Sequence, residues 1–235
     1  MGGRDWAIGL VGLLLALGGC EAKNPGGEPS PAPNAVVASP NATVPQGPAR
    51  HILAFGDSLF AGYGLGQGES YPDQLQAALR ARGFNVTIAN AGVSGDTTAA
   101  GRERLAFTLG AQNPKPDLAL LELGGNDLLR GLPPDQTRAN LDAMLAELAK
   151  RKIPVVLMGM RAPPNVGPEF QAKFDAIYPA LAAKYHAGLV PFFLQTVYDK
   201  PALIQADHIH PTKAGAAKIV AATVDQVAGA LPKAD

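Results

Sequence analysis

The sequence predicts an α/β protein in which helices cover both faces of a parallel sheet. After Arg50, five short apolar runs alternate with longer amphipathic segments. Short apolar runs bounded by turn residues are typical of buried strands, and the segments between them have helical periodicity. Five repeats of this alternation favour a doubly wound sheet. The runs are HILAFG, NVTIAN, DLALLEL, IPVVLMGM and AGLVPFF, and the helical segments are residues 70–82, 97–109, 135–151, 167–186 and 212–230.

Residues 1–20 have the pattern of a signal peptide. An arginine is followed by an uncharged stretch from Trp6 to Gly19 and by small residues before Cys20. The stretch is shorter than the roughly 20 residues that cross a bilayer, which favours an export signal over a permanent span. The motif ALGGC resembles the lipobox of bacterial lipoproteins, so Cys20 is the expected lipidation site. The alternative is ordinary cleavage nearby, with Cys20 incidental.

Residues 21–50 are predicted to be a disordered linker. They are rich in Pro, Ala, Gly and Asn and lack aromatic residues, so they cannot bury enough apolar surface to fold. A Pro-rich chain is a semi-extended spacer, which suits a tether between a lipid anchor and a domain. We therefore expect a folded domain over residues 51–235 in an exported, periplasmic and membrane-tethered lipoprotein.

The charge balance limits the classes of partner. The chain has 20 basic and 20 acidic residues, so its composition gives no electrostatic reason to bind nucleic acid or an anionic membrane surface. A small-molecule or lipid ester, bound by a monomer, is the expected partner. Cys20 is the only cysteine, so no disulfide can form within the chain. We expect no metal, because the chain also has only four histidines.

Polar loops follow four of the predicted strands, at the edge of the sheet where ligands bind in open α/β folds. They read GDSLF, AGVSGDTT, GGNDLLRG and, further from its strand, ADHIHPTKAG. An acyl-transfer hydrolase needs a hydroxyl nucleophile, a base, a carboxylate that orients the base, and hydrogen-bond donors for the oxyanion. The four loops contain all of these groups. They are Ser58, His210, Asp207 and, as donors, Gly95 and Asn126.

Each of these residues also has a simpler interpretation. Ser58 and Asp207 suit a helix cap or a turn, Asn126 tolerates a left-handed turn, Gly95 suits a turn, and His210 suits an exposed surface. Their common position after the strands favours catalysis. The three-residue spacing lets the Asp207 carboxylate bind one imidazole nitrogen of His210 and leave the other for Ser58.

The four loops resemble, in order, the four blocks of the SGNH or GDSL-type hydrolases. The matching text is FGDSLFAGYG, NAGVSGDTT, LELGGNDLLRG and DHIHP, and the resemblance covers about residues 51–230. ELGGNDLLRG, AIYPALA and VPFFLQTVYDKP are similar to the periplasmic bacterial esterases of this family that act as thioesterase, lysophospholipase and arylesterase. The resemblance implies a flavodoxin-like three-layer αβα sandwich with five parallel strands.

The resemblance also implies roles and an activity. Ser58 would be the nucleophile, His210 the base and Asp207 its partner, and the Ser58 N–H, Gly95 and Asn126 would form the oxyanion hole, without a cofactor. We expect a serine esterase that hydrolyses esters, thioesters or lysophospholipids with short to medium acyl chains. A carbohydrate O-deacetylase and a non-catalytic acyl- or glycan-binding lipoprotein are the alternatives.

Three further expectations concern the surroundings of this site. Asp57 and Asp96 are expected to hold their loops by accepting backbone N–H bonds. Residues 160–170, MRAPPNVGPEF, are expected to overhang the cleft and to influence acyl selectivity. Residues 62–68, GYGLGQG, are expected to form a mobile loop, because the spacing of their glycines does not match a dinucleotide-binding motif.

Overall fold

A computed structural model describes residues 46–233 of the chain. The predicted signal peptide, Cys20 and most of the predicted linker lie outside these residues. Five parallel strands form one sheet in the order β2-β1-β3-β4-β5, which is the flavodoxin-like order. The predicted sheet is therefore confirmed. The strands are β1 (Gln46–Gly56), β2 (Phe84–Gly92), β3 (Leu118–Glu122), β4 (Val155–Met158) and β5 (Gly188–Val190).

Helices cover both faces of the sheet. Two helices, α2 and α8, pack together on one face, and α3, α5 and α7 pack on the other. No helix in residues 46–233 is long and apolar enough to cross a membrane. The helices are α1 (Ser58–Ala61), α2 (Tyr71–Ala81), α3 (Thr98–Gly110), α4 (Gly125–Leu129), α5 (Pro134–Lys150), α6 (Pro168–Asp175), α7 (Ile177–Tyr185) and α8 (Lys213–Ala230).

The first strand begins earlier than the predicted start of the domain at residue 51. Gln46 pairs with Phe84 of β2, and the register shifts before Arg50 pairs with Val86. The Arg50 guanidinium also donates to the carbonyl oxygen of Lys233 at 2.9 Å. Residues 46–50 thus form part of the strand, although they were assigned to the linker. Their composition could not reveal this, because their partners are distant in the sequence.

The segment 167–186, predicted as one helix, forms two helices. The break lies at Ala176, between α6 and α7. Pro179 has no N–H to donate to the carbonyl of Asp175, and a proline ring clashes with the carbonyl four residues before it. Helix α6 therefore ends at Asp175, and α7 begins at Ile177 with Pro179 in its first turn.

Buried side chains support the carboxyl edge of the sheet. All five residues of β3 are buried. An aromatic cluster of Phe60, Tyr71 and Phe193 supports α1, with ring centroids 4.8–5.7 Å apart. Aromatic pairs at such distances stabilise a fold by about 0.5–1.5 kcal/mol each beyond their buried area. The short helix that carries Ser58 therefore rests on a rigid base.

Candidate active site

Ser58 lies in the turn between β1 and α1, at the carboxyl edge of the sheet. Strand β1 ends at Gly56, which is in register with Gly92 of β2 and Glu122 of β3. Asp57 caps α1, with its side chain accepting the N–H of Leu59 at 3.0 Å. Ser58 is the first residue of the helix, so its own N–H has no acceptor within the helix and is free for a ligand.

The structure brings Ser58, His210 and Asp207 into one hydrogen-bonded chain. Ser58 Oγ lies 2.8 Å from His210 Nε2, and His210 Nδ1 lies 2.6 Å from Asp207 Oδ2. These three residues are the ones that the sequence singled out as nucleophile, base and carboxylate. The arrangement allows the serine proton to move to the imidazole while the carboxylate orients the ring.

The Asp207 carboxylate is held as an anion. Its Oδ1 accepts the backbone N–H groups of Ile209 at 2.9 Å and His210 at 3.0 Å. The His210 imidazole and these N–H groups lower the pKa of Asp207 to about 2. An ionised carboxylate accepts a hydrogen bond from Nδ1–H, which fixes the proton on Nδ1 and leaves Nε2 as the acceptor that faces Ser58.

Two residues that sequence reasoning missed hold the His210 loop in place. The Gln205 side-chain amide donates to the carbonyl oxygens of Tyr63 at 2.8 Å and Pro211 at 2.9 Å. Its backbone N–H donates to the His210 carbonyl oxygen at 2.7 Å. The Tyr63 ring lies 4.5 Å from the imidazole, centroid to centroid. Gln205 thus ties the histidine loop to the loop after α1, and no sequence motif pointed to this contact.

Asn126 and Gly95 border the same cleft as Ser58. The Asn126 amide nitrogen donates to Asp57 Oδ2 and to the Asp96 carbonyl oxygen, both at 2.9 Å. Gly95 has a φ of 86°, which favours glycine, and its carbonyl accepts Arg130 at 2.7 Å. No atom in residues 46–233 accepts the Gly95 N–H. This N–H is therefore free to bind an anionic ligand atom.

The two aspartates expected to hold loops differ in their partners. Asp57 does accept a backbone N–H, as described above. The expectation for Asp96 was wrong, because its carboxylate instead pairs with the Arg104 guanidinium at 2.6 Å. Arg104 also covers the Phe55 ring at 3.9 Å and donates to the Gly56 carbonyl oxygen at 2.9 Å. The loop that carries Gly95 is thus fixed to the end of β1 through a charged side chain.

A cleft of about 570 Å³ opens in front of Ser58. Four of the six large hydrophobic side chains exposed in the described part of the chain line it, which marks a surface for apolar ligands. Residues 160–170 border it as expected, through Met160, Arg161, Pro163 and Val166. The four exposed side chains are Tyr63, Leu129, Tyr198 and Ile209.

The residues needed for a metal centre do not come together in this region. Between Gln46 and Lys233, no group of three or more His, Cys, Asp or Glu side chains is placed to hold a metal ion. His208 lines the cleft and has a left-handed φ of 62° in the turn before His210. The polar groups that line the cleft include Ser58, Asn126 and His210.

Known proteins match this sequence and this fold. The model of the GDSL-like lipase/acylhydrolase family matches residues 54–218. The crystal structure of AlinE4, an SGNH-hydrolase family esterase, is 62% identical with a TM-score of 0.68, over 80% of this chain and all of that one.

Curated relatives agree with that assignment. The esterase TesA of Pseudomonas aeruginosa is 39% identical over 74% of this chain and 86% of its own length. A protein of Escherichia coli strain K12, named thioesterase 1/protease 1/lysophospholipase L1, is 38% identical over 69% of this chain and 76% of its own length. The chain therefore belongs to the GDSL-like lipase/acylhydrolase family of SGNH hydrolases.

Proposed function

We propose that this protein is a serine esterase that hydrolyses carboxylic esters of short to medium acyl chains, and that it also accepts thioesters and lysophospholipids. The observation that carries the proposal is the hydrogen-bonded chain from Asp207 through His210 to Ser58, which opens on an apolar cleft. An apolar cleft with a few convergent polar groups is the usual form of a site for such substrates.

The reaction has two steps. His210 Nε2 takes the Ser58 proton as Ser58 Oγ attacks the ester carbonyl carbon, and the protonated imidazole then gives that proton to the departing alcohol or thiol. A water molecule next loses a proton to His210 and attacks the acyl-enzyme. The carboxylic acid leaves, and the imidazole returns the proton to Ser58. The ionised Asp207 stabilises the imidazolium in both steps.

The negative charge on the carbonyl oxygen needs donors. The N–H groups of Ser58 and Gly95 are free of acceptors, and they form two arms of the oxyanion hole. Asn126 is the third arm, and its amide shares one of its hydrogen bonds with the oxyanion during the reaction. Removing a single donor of this kind lowers kcat by about 10² to 10³.

A series of p-nitrophenyl esters tests the function. We expect kcat/KM to rise from acetate towards medium chains by up to about fourfold per methylene, the factor that corresponds to about 0.8 kcal/mol. The Ser58→Ala variant should keep its circular dichroism spectrum and lose at least about 10³-fold in turnover. A Ser58→Ala enzyme with wild-type rates would refute the proposal.

The same assays separate the other functions. A carbohydrate O-deacetylase would turn over acetylated polysaccharide faster than acyl esters, and a non-catalytic binder would release no product. The apolar side chains Leu129, Tyr198 and Ile209 in the cleft favour an acyl or aryl group over a glycan. The proposed mechanism uses no metal or cofactor, so exhaustive chelation should leave turnover unchanged.

We also propose that the protein is exported to the periplasm and tethered there as a monomer through a lipid on Cys20. The support is the lipobox-like ALGGC at residues 16–20, which lies outside the described residues. Labelled palmitate should appear on the wild-type protein and not on the Cys20→Ala variant. A soluble, unlabelled wild-type protein would contradict the tether.

A further inference from the structure

Glu122 is a fully buried acid directly beneath the turn that carries Ser58. It ends β3, and its exposed fraction is 0%. Its Oε2 accepts the N–H of Asp57 at 3.3 Å, whereas its Oε1 has no hydrogen-bond partner in the part of the chain that the structure describes. A buried, unpartnered carboxyl oxygen is rare in folded proteins and calls for an explanation.

The carboxyl group of Glu122 also packs against the end of β1. A Cβ atom on Gly56 would lie 2.8 Å from Glu122 Oε2 and 2.8 Å from its carbonyl oxygen, so only glycine fits there. The carboxyl group thus contacts Gly56 and Asp57, the two residues that precede Ser58. A change in its charge or hydrogen bonding should therefore shift the turn that carries Ser58.

Two buried carboxyl groups meet at this point without a cation between them. Asp57 is 1% exposed, and it accepts N–H donors from Leu59 and Asn126. Glu122 accepts one long bond only. Because adjacent buried carboxylates cannot both be ionised at low cost, Asp57, which accepts more hydrogen bonds, carries the charge and Glu122 keeps its proton.

The groups around this pair give the same result. Tyr178 of α7 and Asp127 of α4 share the buried region, and neither supplies positive charge. The His210 imidazole acts on Asp57, where its charge favours the ionised form, and not on Glu122. The nearest guanidinium contact, from Arg104, goes to the Gly56 carbonyl oxygen and to Asp96. Burial and the negative charge of Asp57 raise the pKa of Glu122 well above its usual range.

We propose that Glu122 is a positioning residue of the active site, and that it works as a neutral carboxylic acid that holds the Asp57 peptide N–H and so fixes the turn carrying Ser58. The inference rests on the proposed function for its link to catalysis. The protonation state of Glu122 can be tested by measurements of stability, without an activity assay.

The first test measures stability against pH. Wild type and Glu122→Gln are unfolded in urea at pH 5, 6, 7 and 8. The unfolded glutamate loses its proton above about pH 4.5 while the folded one keeps it, so the wild type loses stability relative to the Gln variant as the pH rises. The ratio of their unfolding constants, wild type over variant, should rise with pH by up to about tenfold per pH unit. A ratio of unfolding constants that does not change with pH would overturn the proposal that Glu122 is protonated in the folded protein.

A matched control is available at Thr196. Its Oγ1 is the other buried side-chain oxygen without a partner in residues 46–233, and it does not titrate. The ratio of unfolding constants for Thr196→Val against wild type should not change with pH. A slope equal to that of Glu122→Gln would show that Glu122 protonation is not the cause.

The second test measures positioning. Glu122→Gln keeps a neutral acceptor for the Asp57 N–H, whereas Glu122→Leu has none. On p-nitrophenyl butyrate we expect kcat of the Leu variant to lie about 10- to 100-fold below that of the Gln variant, with a smaller change in KM. Equal kcat values would overturn the positioning role. If the Leu variant does not fold, Glu122→Met, which also lacks an acceptor but keeps the length of the side chain, takes its place. Failure of the esterase proposal would appear separately, as turnover that survives Ser58→Ala.

Discussion

The carboxylate of Asp57 accepts the side-chain amide of Asn126 at 2.9 Å. The residue directly before the proposed nucleophile thus holds the side chain proposed to bind the oxyanion, although 69 positions separate the two residues in sequence. Asp57 also caps α1 through Leu59. A single buried carboxylate therefore sets the relative position of two parts of the site.

Replacement of Asp57 by asparagine should test this link. In Asp57→Asn, the side-chain amide oxygen can still accept the Leu59 N–H. The NH₂ group of the new asparagine would then face the NH₂ group of Asn126. We expect kcat on p-nitrophenyl butyrate to fall about 10- to 100-fold with KM little changed, because a donor of the oxyanion is misplaced. Asp225→Asn, on the exposed surface of α8, serves as the control and should keep wild-type kcat. An unchanged kcat in Asp57→Asn would contradict the link.

The pH dependence of turnover should reflect the histidine and not Asp207. The pKa of Asp207 is lowered to about 2, so its carboxylate stays ionised at every pH above about 3. A base must be neutral to accept the serine proton. We therefore expect kcat/KM to rise with pH through a single ionisation, that of the imidazole. A second acid limb between pH 3 and 5 that is also present in Asp57→Asn would contradict the assignment of Asp207. This variant is the control because burial raises the pKa of the Asp57 carboxyl group.

Asp207→Asn should lose activity over the whole pH range in which the wild type is active. The neutral amide favours the wrong histidine tautomer, and the corresponding change in serine proteases lowers kcat about 10⁴-fold. Higher pH should not restore the rate, since the defect lies in orientation and not in the charge of the base. Rates that recover at pH 9 would indicate instead that Asp207 acts only by tuning the histidine charge.

Local sequence patterns were sufficient to predict the sheet and the residues that lie at its carboxyl edge. The apolar runs marked the five strands, and the rule that ligands bind at the carboxyl edge brought Ser58, Gly95, Asn126 and His210 together. The contacts of Gln205 with Tyr63 and of Glu122 with Asp57 could not be predicted, because these partners are distant in sequence. One signal was available, namely that Glu122 is the only charged residue inside the buried strand LALLE.

Gln205 should influence turnover through the position of His210. Gln205→Leu has a similar volume but removes the donors to the Tyr63 and Pro211 carbonyl oxygens. We expect kcat to fall on the order of tenfold, because the histidine loop loses its tie to the loop after α1. The exposed Gln195, replaced by leucine in the same way, should have no effect. Equal kcat values for the two variants would show that the tie is not needed.

Leu129 should select for the acyl chain. Its side chain is 64% exposed on the wall of the cleft, in the last turn of α4, where an acyl or aryl group of the substrate would cover it. Leu129→Ala should lower kcat/KM for p-nitrophenyl octanoate and leave the acetate unchanged, because only the longer chain reaches this wall. A loss of about three methyl or methylene groups of contact, at up to about 0.8 kcal/mol each, corresponds to a fall of up to about 60-fold. Phe107→Ala, at an exposed hydrophobic residue of α3 outside the cleft, controls for lost surface area. Equal losses on acetate and octanoate would place the acyl chain elsewhere in the cleft.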